Sequence, residues 1–228
     1  MLAPMQVELQ PIVHQLGLTD DGDGTVFRGK AGDVDVIAML TNIGMAAGAD
    51  AARRILEHDV DWVMVVGVAG GVDHAGIKIG DVIVPEVVLD RSTGNTYRPV
   101  SVGDITPRGI VSCGDDLVTD PDTIGQMEKA GVVAVEMESA AVAPVCEAAG
   151  VPWSVFRGIS DFADAGLVDA ALFAMTNADG SADPDAMKRY LAENPERAKI
   201  LVQLGHDTTL AVEGAAAAAI RACAVLPA

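Results

Sequence analysis

Between Asp61 and Asp73 lies an unbroken run of uncharged residues, Trp62 to Val72, whose second half is Gly67-Val68-Ala69-Gly70-Gly71-Val72. It covers about half the length a helix needs to cross a bilayer. A run this apolar, with no polar alternation, reads as a strand from Asp61 to Val66, buried on both faces and running into glycines. Such a strand needs helices on both sides, which points to an α/β chain built round a largely parallel sheet.

The rest of the pattern fits that architecture. Val34–Leu40 reads as a strand, followed by Thr41-Asn42-Ile43-Gly44 and a small-residue helix to about His58. Further strands are expected at Val82–Leu89, Gly109–Ser112, Val132–Val135 and Val151–Ile159. Helices are expected from Met5 to Leu18, at Thr123–Lys129, at Ser139–Ala149 and at Ala211–Ala224, the last rich in alanine. Asp20–Gly24 reads as a turn, Asp90–Arg108 as a loop, and Asn177–Asn194 as a mobile polar insertion. No repeat or linker interrupts residues 1–228, which are expected to form one domain. Ligands of such sheets collect at the carboxyl ends of strands.

The charge balance is 15 − 33 = −18, so the chain lacks the lysines and arginines with which a general nucleic-acid binder displaces counterions. A small anionic substrate held by one or two arginines is still compatible with it. Aromatic residues are only 4%, which favours close small-residue helix packing over an aromatic binding module. Cys113, Cys146 and Cys223 have neither CxxC spacing nor an even count. They are expected as thiols in a reducing cytoplasm, with no disulfide framework and no metal. His14, His58 and His74 lack metal spacing and are expected at the surface, and Met45 and Met64 in packing. No basic region opens the chain, so neither a leader nor a membrane span is expected.

Three strand ends carry polar groups that could do chemistry. At Gly67–Val72, glycines either let the backbone approach a phosphate, carboxylate or sugar oxygen, or form a tight turn with no ligand. At Val135-Glu136-Met137-Glu138, both carboxylates share a side if the strand continues and diverge by about 200° if the helix has begun. In the second case Glu138 is simply a charge in the first helical turn. At Arg157-Gly158-Ile159-Ser160-Asp161, a buried Asp could serve as a general acid, or Ser and Asp could cap a helix.

Taken in order, these segments resemble the nucleoside phosphorylase/nucleosidase superfamily, and most of all its 5′-methylthioadenosine/S-adenosylhomocysteine nucleosidase branch. The matching pieces include Pro4-Met5-Gln6-Val7-Glu8, Asn42-Ile43-Gly44, Ile79-Gly80-Asp81-Val82-Ile83-Val84 and Val111-Ser112-Cys113-Gly114-Asp115, alongside the three segments above. The resemblance runs from the first residues to about Asp164. It implies a three-layer αβα fold with a central mixed sheet, a homodimer, a small nucleoside substrate and no cofactor. By this resemblance Asp161 protonates the purine, Ser160 steadies it, Glu8 activates water, and Arg157 and Glu138 position that water. Glu138 and Met137 hold the ribose, with Glu136, Ile43 and Gly70 also at the substrate and the backbone near Leu117 and Val118 meeting the base.

Phosphorylases of this superfamily surround a phosphate with cations and commonly place a Ser or Thr in the glycine segment. Here Val68 stands there and no second arginine matches the phosphate set, so hydrolysis is the expected reaction, ahead of phosphorolysis or of binding without turnover. The chain also departs from the nucleosidase branch. Its first strand is almost missing, Leu117 replaces an aromatic, Asp90–Arg108 is short and Ala165–Thr209 is long.

Overall fold

A computed structural model describes residues 1–227. Eleven strands form one sheet. They are β1 (Leu2–Ala3), β2 (Thr19–Asp20), β3 (Val26–Ala31), β4 (Val34–Leu40), β5 (Val63–Gly71), β6 (Val82–Ile83), β7 (Val87–Asp90), β8 (Thr96–Tyr97), β9 (Ile110–Cys113), β10 (Val132–Glu136) and β11 (Trp153–Phe162). The main path runs β2-β3-β4-β1-β5-β10-β9-β7-β8, and β11 lies along β5 with β6 on its far side. β5 is the hub, parallel to β1 and β11 and antiparallel to β10 at Gly70 and Gly71. The sheet is therefore mixed rather than largely parallel, because β2-β3-β4, β7-β8 and β6-β11 are antiparallel as well.

Among the described residues seven helices complete the fold: α1 (Gln6–Leu16), α2 (Met45–Leu56), α3 (Pro121–Lys129), α4 (Ser139–Ala149), α5 (Ala170–Phe173), α6 (Pro184–Glu193) and α7 (Arg197–Cys223). The period of two along β5 divides its side chains between the faces. Met64 and Val66 join Leu9 and Ile12 of α1 and Ala215, Ala216 and Ala219 of α7. Val63 and Val65 join Ala51, Ala52 and Ile55 of α2 and Val142, Ala143 and Cys146 of α4. That arrangement is the three-layer αβα sandwich. Small residues set its tightness: a Cβ on Gly158 of β11 would sit 2.6 Å from the backbone carbon of Ala211 in α7. Among the described residues no helix is long and apolar enough to cross a membrane.

Several elements differ from the sequence expectations. The glycines of 67–71 do not turn; they continue β5 to Gly71. Val82–Leu89 divides into β6 and β7 around Pro85, which has no amide hydrogen for a ladder. β11 runs on to Phe162, so Ser160 and Asp161 lie in the strand and cap no helix. The first strand is only two residues long, yet it is buried at the centre of the sheet between β4 and β5. The closing helix begins at Arg197, and its buried residues begin only at Ala211. Residues 177–194, read as a mobile insertion, instead begin in a hairpin closed by an antiparallel bridge between Thr176 and Ala182 and continue into α6, capped by the Asp183 carboxylate with Pro184 in its first turn. The three cysteines are free and buried, and His14, His58 and His74 are exposed.

Candidate active site

The site is built round one buried guanidinium. Arg157, in the middle of β11, is 1% exposed. Its Nη2 donates to Glu136 Oε2 and, at 2.8 Å, to Glu138 Oε2. Glu136 ends β10 and Glu138 follows two residues later in a non-helical conformation, so the two carboxylates converge on one side. Glu136 also accepts from the amides of Glu138 and Ser139 and from the Ser139 hydroxyl. It thereby takes the place at the start of α4 that Glu138 would otherwise hold. Its oxygens are committed to Arg157 and that helix.

Glu8, in the first turn of α1, enters the same cluster from across β5. One carboxylate oxygen accepts from the Met5 amide at 2.7 Å, the reach-back of a capping box. The other accepts from the Val68 amide at 2.6 Å. This approach depends on Gly67: a Cβ there would overlap the Glu8 carboxylate and lie 2.6 Å from Arg157 Nη1. Gly67 is thus a site residue that the sequence reading left within an undifferentiated glycine run.

Three buried carboxylates share one guanidinium, and they divide its stabilisation unequally. Burial raises Glu8 to about 8 against the opposing pull of Arg157, with the nearby Glu138 charge adding to the rise. Burial likewise raises Glu138 to about 7, again opposed by Arg157 and reinforced by Glu136. Burial acts upward on Glu136 too, but Arg157 and the donors around it outweigh this and hold it below the ordinary value. Glu136 is the fixed anion; Glu8 and Glu138 can exchange protons near neutral pH.

Asp161 and Ser160 lie farther along β11. The pairing of β11 with β5 shifts register between Ile159 and Asp161, a bulge that re-aims the strand at Ser160. The Ser160 hydroxyl donates to Asp161 Oδ1 at 2.6 Å. Asp161 is half-buried, and desolvation raises its pKa against the Ser160 hydrogen bond. Gly70, opposite Asp161, leaves room against Val135 and Ala163. Val118 packs half-buried in the same cluster, with Val72, Val135 and Ala163. Leu117 and Met137 are half-buried beside their respective turns.

The start of α2 holds Glu138 and a further carboxylate, Asp115. Asn42 (φ 69°) and Gly44 (φ 108°) adopt left-handed backbone that turns successive amides outward. Gly44 N–H donates to Glu138 Oε1 at 2.9 Å, and Met45 N–H donates to Asp115 Oδ1 at 2.7 Å. A helix N-terminus stabilises both anions. The Ile43 amide is bonded to the carbonyl of Ala178. Asp115 belongs to a loop that Arg91 clamps by donating to the carbonyls of Ser112, Gly114 and Asp116. The sequence reading missed Arg91 as well as the role of Asp115, since each acts on partners remote in the chain.

The family model described as the phosphorylase superfamily matches residues 2–108 and 105–204. The 5′-methylthioadenosine/S-adenosylhomocysteine nucleosidase of Haemophilus influenzae is 28% identical over 169 residues, 61% of this chain and 73% of that protein. The enzyme of the same name from Actinobacillus succinogenes is 28% identical over 173 residues, 63% of this chain and 75% of that protein. Among solved structures, the Neisseria meningitidis nucleosidase of this name, in complex with methylthio-immucillin-A, gives a TM-score of 0.74 at 19% identity, covering 99% of this chain and 97% of that one. Futalosine hydrolase of Helicobacter pylori gives 0.62 at 22% identity, covering 90% and 96%. These likenesses establish the αβα fold.

Proposed function

The chain belongs to the phosphorylase superfamily, and on that footing we propose that it is a nucleosidase, an N-glycosyl hydrolase that cleaves a purine nucleoside with water. The observation that carries this reading is the seat of Glu8. The Val68 amide, which the glycine segment would otherwise offer to an anion, donates to Glu8 instead, and Arg157 is engaged by Glu136 and Glu138. A phosphate would meet three carboxylates and no free cation in this cluster. A water beside Glu8 would meet a base whose pKa of about 8 suits proton transfer near neutrality.

The chemistry divides between two ends. As the glycosidic bond stretches, positive charge grows at the anomeric carbon, and the carboxylates of Glu8 and Glu138 stabilise it. Asp161, its pKa raised by burial, protonates the base so that it leaves neutral. Ser160 fixes the orientation of that acid. Arg157 holds Glu138 in place through one oxygen, and the other, exchanging its bond to Gly44, takes the ribose diol beside Met137. The backbone near Leu117 and Val118 meets the base edge, with Ile43 and Gly70 bordering the substrate.

The names of the relatives support a 5′-thioether adenosine, methylthioadenosine or S-adenosylhomocysteine, as substrate. We extend the proposal to residues 1–228 acting as one domain, to a homodimer, which sedimentation would test, and to the reducing cytoplasm that suits three free thiols. The reaction is tested by incubating the protein with methylthioadenosine, S-adenosylhomocysteine, futalosine, adenosine, inosine and guanosine, with and without phosphate, and weighing the products. Free base and free sugar without phosphate are expected. Sugar phosphate formed only in its presence would make the protein a phosphorylase.

A further inference from the structure

The long segment between β11 and α7 does not trail from the molecule. Its root is held where Arg197 donates to the carbonyls of Gly166 and Leu167 and to Asp169. Its tip is a tight hairpin closed by the Thr176–Ala182 bridge and by Asn177 N–H to Ser181 O at 2.7 Å. Inside the turn, the Asp179 carboxylate accepts from the amide and hydroxyl of Ser181.

Two carbonyls of this tip are docked on the site. Ala178 O accepts from Ile43 N–H at 2.8 Å, and Asp179 O accepts from Gln6 N–H at 2.9 Å. Each donor is the chain neighbour of a residue that holds a site carboxylate. Gly44 N–H, next to Ile43, holds Glu138, and Met5 N–H, next to Gln6, holds Glu8. The tip packs directly on Met5, whose amide holds Glu8: a Cβ on Gly180 would lie 2.6 Å from Met5 Cβ. Among the described residues no hydrogen bond joins the hairpin to Asp161 or Ser160. The tip therefore borders the sugar end of the site and leaves the base end alone.

The inference rests on the nucleosidase reading. With the base at Asp161 and the diol at Glu138, the one position of the sugar that still carries a variable group is the 5′ carbon. We propose that the Thr176–Ala182 hairpin is a strap, supplied by the same chain, that limits the length of the substrate's 5′ substituent. A hydroxyl or methylthio group fits beneath it, whereas a long zwitterionic chain must lift it and break both main-chain bonds.

Two variants release the tip. Replacing Asn177–Ser181 by Gly-Gly leaves a two-residue turn between the bridged residues, a geometry hairpins favour. Gln6→Pro deletes one docking N–H at the first position of α1, where proline is tolerated, and Met5 is already extended (φ −123°, ψ 154°), as a residue before proline must be. Gln6→Ala keeps the N–H and serves as control. Dissociation constants and rates of base release are measured for adenosine, methylthioadenosine and S-adenosylhomocysteine.

The wild type and Gln6→Ala are expected to favour methylthioadenosine over S-adenosylhomocysteine by about tenfold or more, the scale of a pocket wall meeting excess atoms. Both tip variants should bring the two within a few fold, chiefly through KM. Equal preference in the wild type, or an unchanged ratio in the Gly-Gly variant or, should that one fail to fold, in Gln6→Pro, overturns the strap. Selective binding with no base released overturns the nucleosidase reading and leaves the strap standing. Base released equally fast from short and long substrates does the reverse.

Discussion

Arg157 and Arg197 each tie a segment of the chain together, and they do so by opposite means. Arg157 is 1% exposed, lies in the middle of a strand and is bonded to two carboxylates that, among the described residues, have no other cation. Arg197 stands at the start of α7 and holds two loop carbonyls and the partly exposed Asp169. The chemistry sits in the first region, where burial fixes charges and small residues fix distances. The second region, with no buried residue in α6, is held by a few polar contacts that can be remade individually. A reaction needs the first kind of construction; a substrate boundary can be built from the second.

That contrast can be broken at graded cost. Asp161→Asn should lower kcat by roughly 100- to 10,000-fold while nucleoside binding survives, as expected for loss of a general acid; turnover near wild type would remove Asp161 from the mechanism. Arg157→Met leaves Glu136 and Glu138 buried without a countercharge and should cost roughly 3–5 kcal/mol in urea unfolding. Gly67→Ala forces a methyl between Glu8 and Arg157 and should cost about 1–3 kcal/mol, with activity falling alongside. Wild-type stability would sink that account of β5.

The pH dependence follows from Glu8. Its carboxyl titrates near 8 in the fold against 4.5 ordinarily. The folded chain therefore keeps a proton that the unfolded chain has lost between those values. Its contribution to stability is full below about pH 4.5 and declines as pH rises to about 8. The unfolding free energy of the wild type in urea should drop by roughly 3–4 kcal/mol between pH 5 and pH 8 from this group. Glu8→Gln should flatten that slope and abolish hydrolysis; a slope unchanged by the substitution would show that Glu8 does not titrate there. Smallest of all, Arg197→Ala should cost about 1 kcal/mol, since it removes hydrogen bonds to two loop carbonyls and to the partly exposed Asp169. A loss as large as that from Arg157→Met would erase the distinction between the two regions.

Much of the site was legible because its parts are close in sequence and ordered. Glu136-Met137-Glu138 lies at one strand end and Arg157 through Asp161 along another strand, and of the two readings open for the glutamates the period of two is the one the non-helical Glu138 follows. What escaped the reading depends on partners far along the chain. Asp115 bonds Met45 across 70 positions, and the strap acts through carbonyls, which no side chain advertises. Gly67 was hidden because glycines at a strand end fit a turn and a close approach equally well. The first half of α7 has no apolar stripe, with Val202 76% exposed, so nothing marked it as helix. β3 was missed because Arg28, Gly29 and Lys30 fill its centre.

The central claim is that the Glu8 seat makes water the nucleophile. The most direct test is a single turnover of methylthioadenosine in ¹⁸O-labelled water with excess phosphate present, quenched early and analysed by mass. The account predicts free sugar carrying solvent oxygen at its anomeric carbon and no sugar phosphate. An unlabelled sugar phosphate would contradict it.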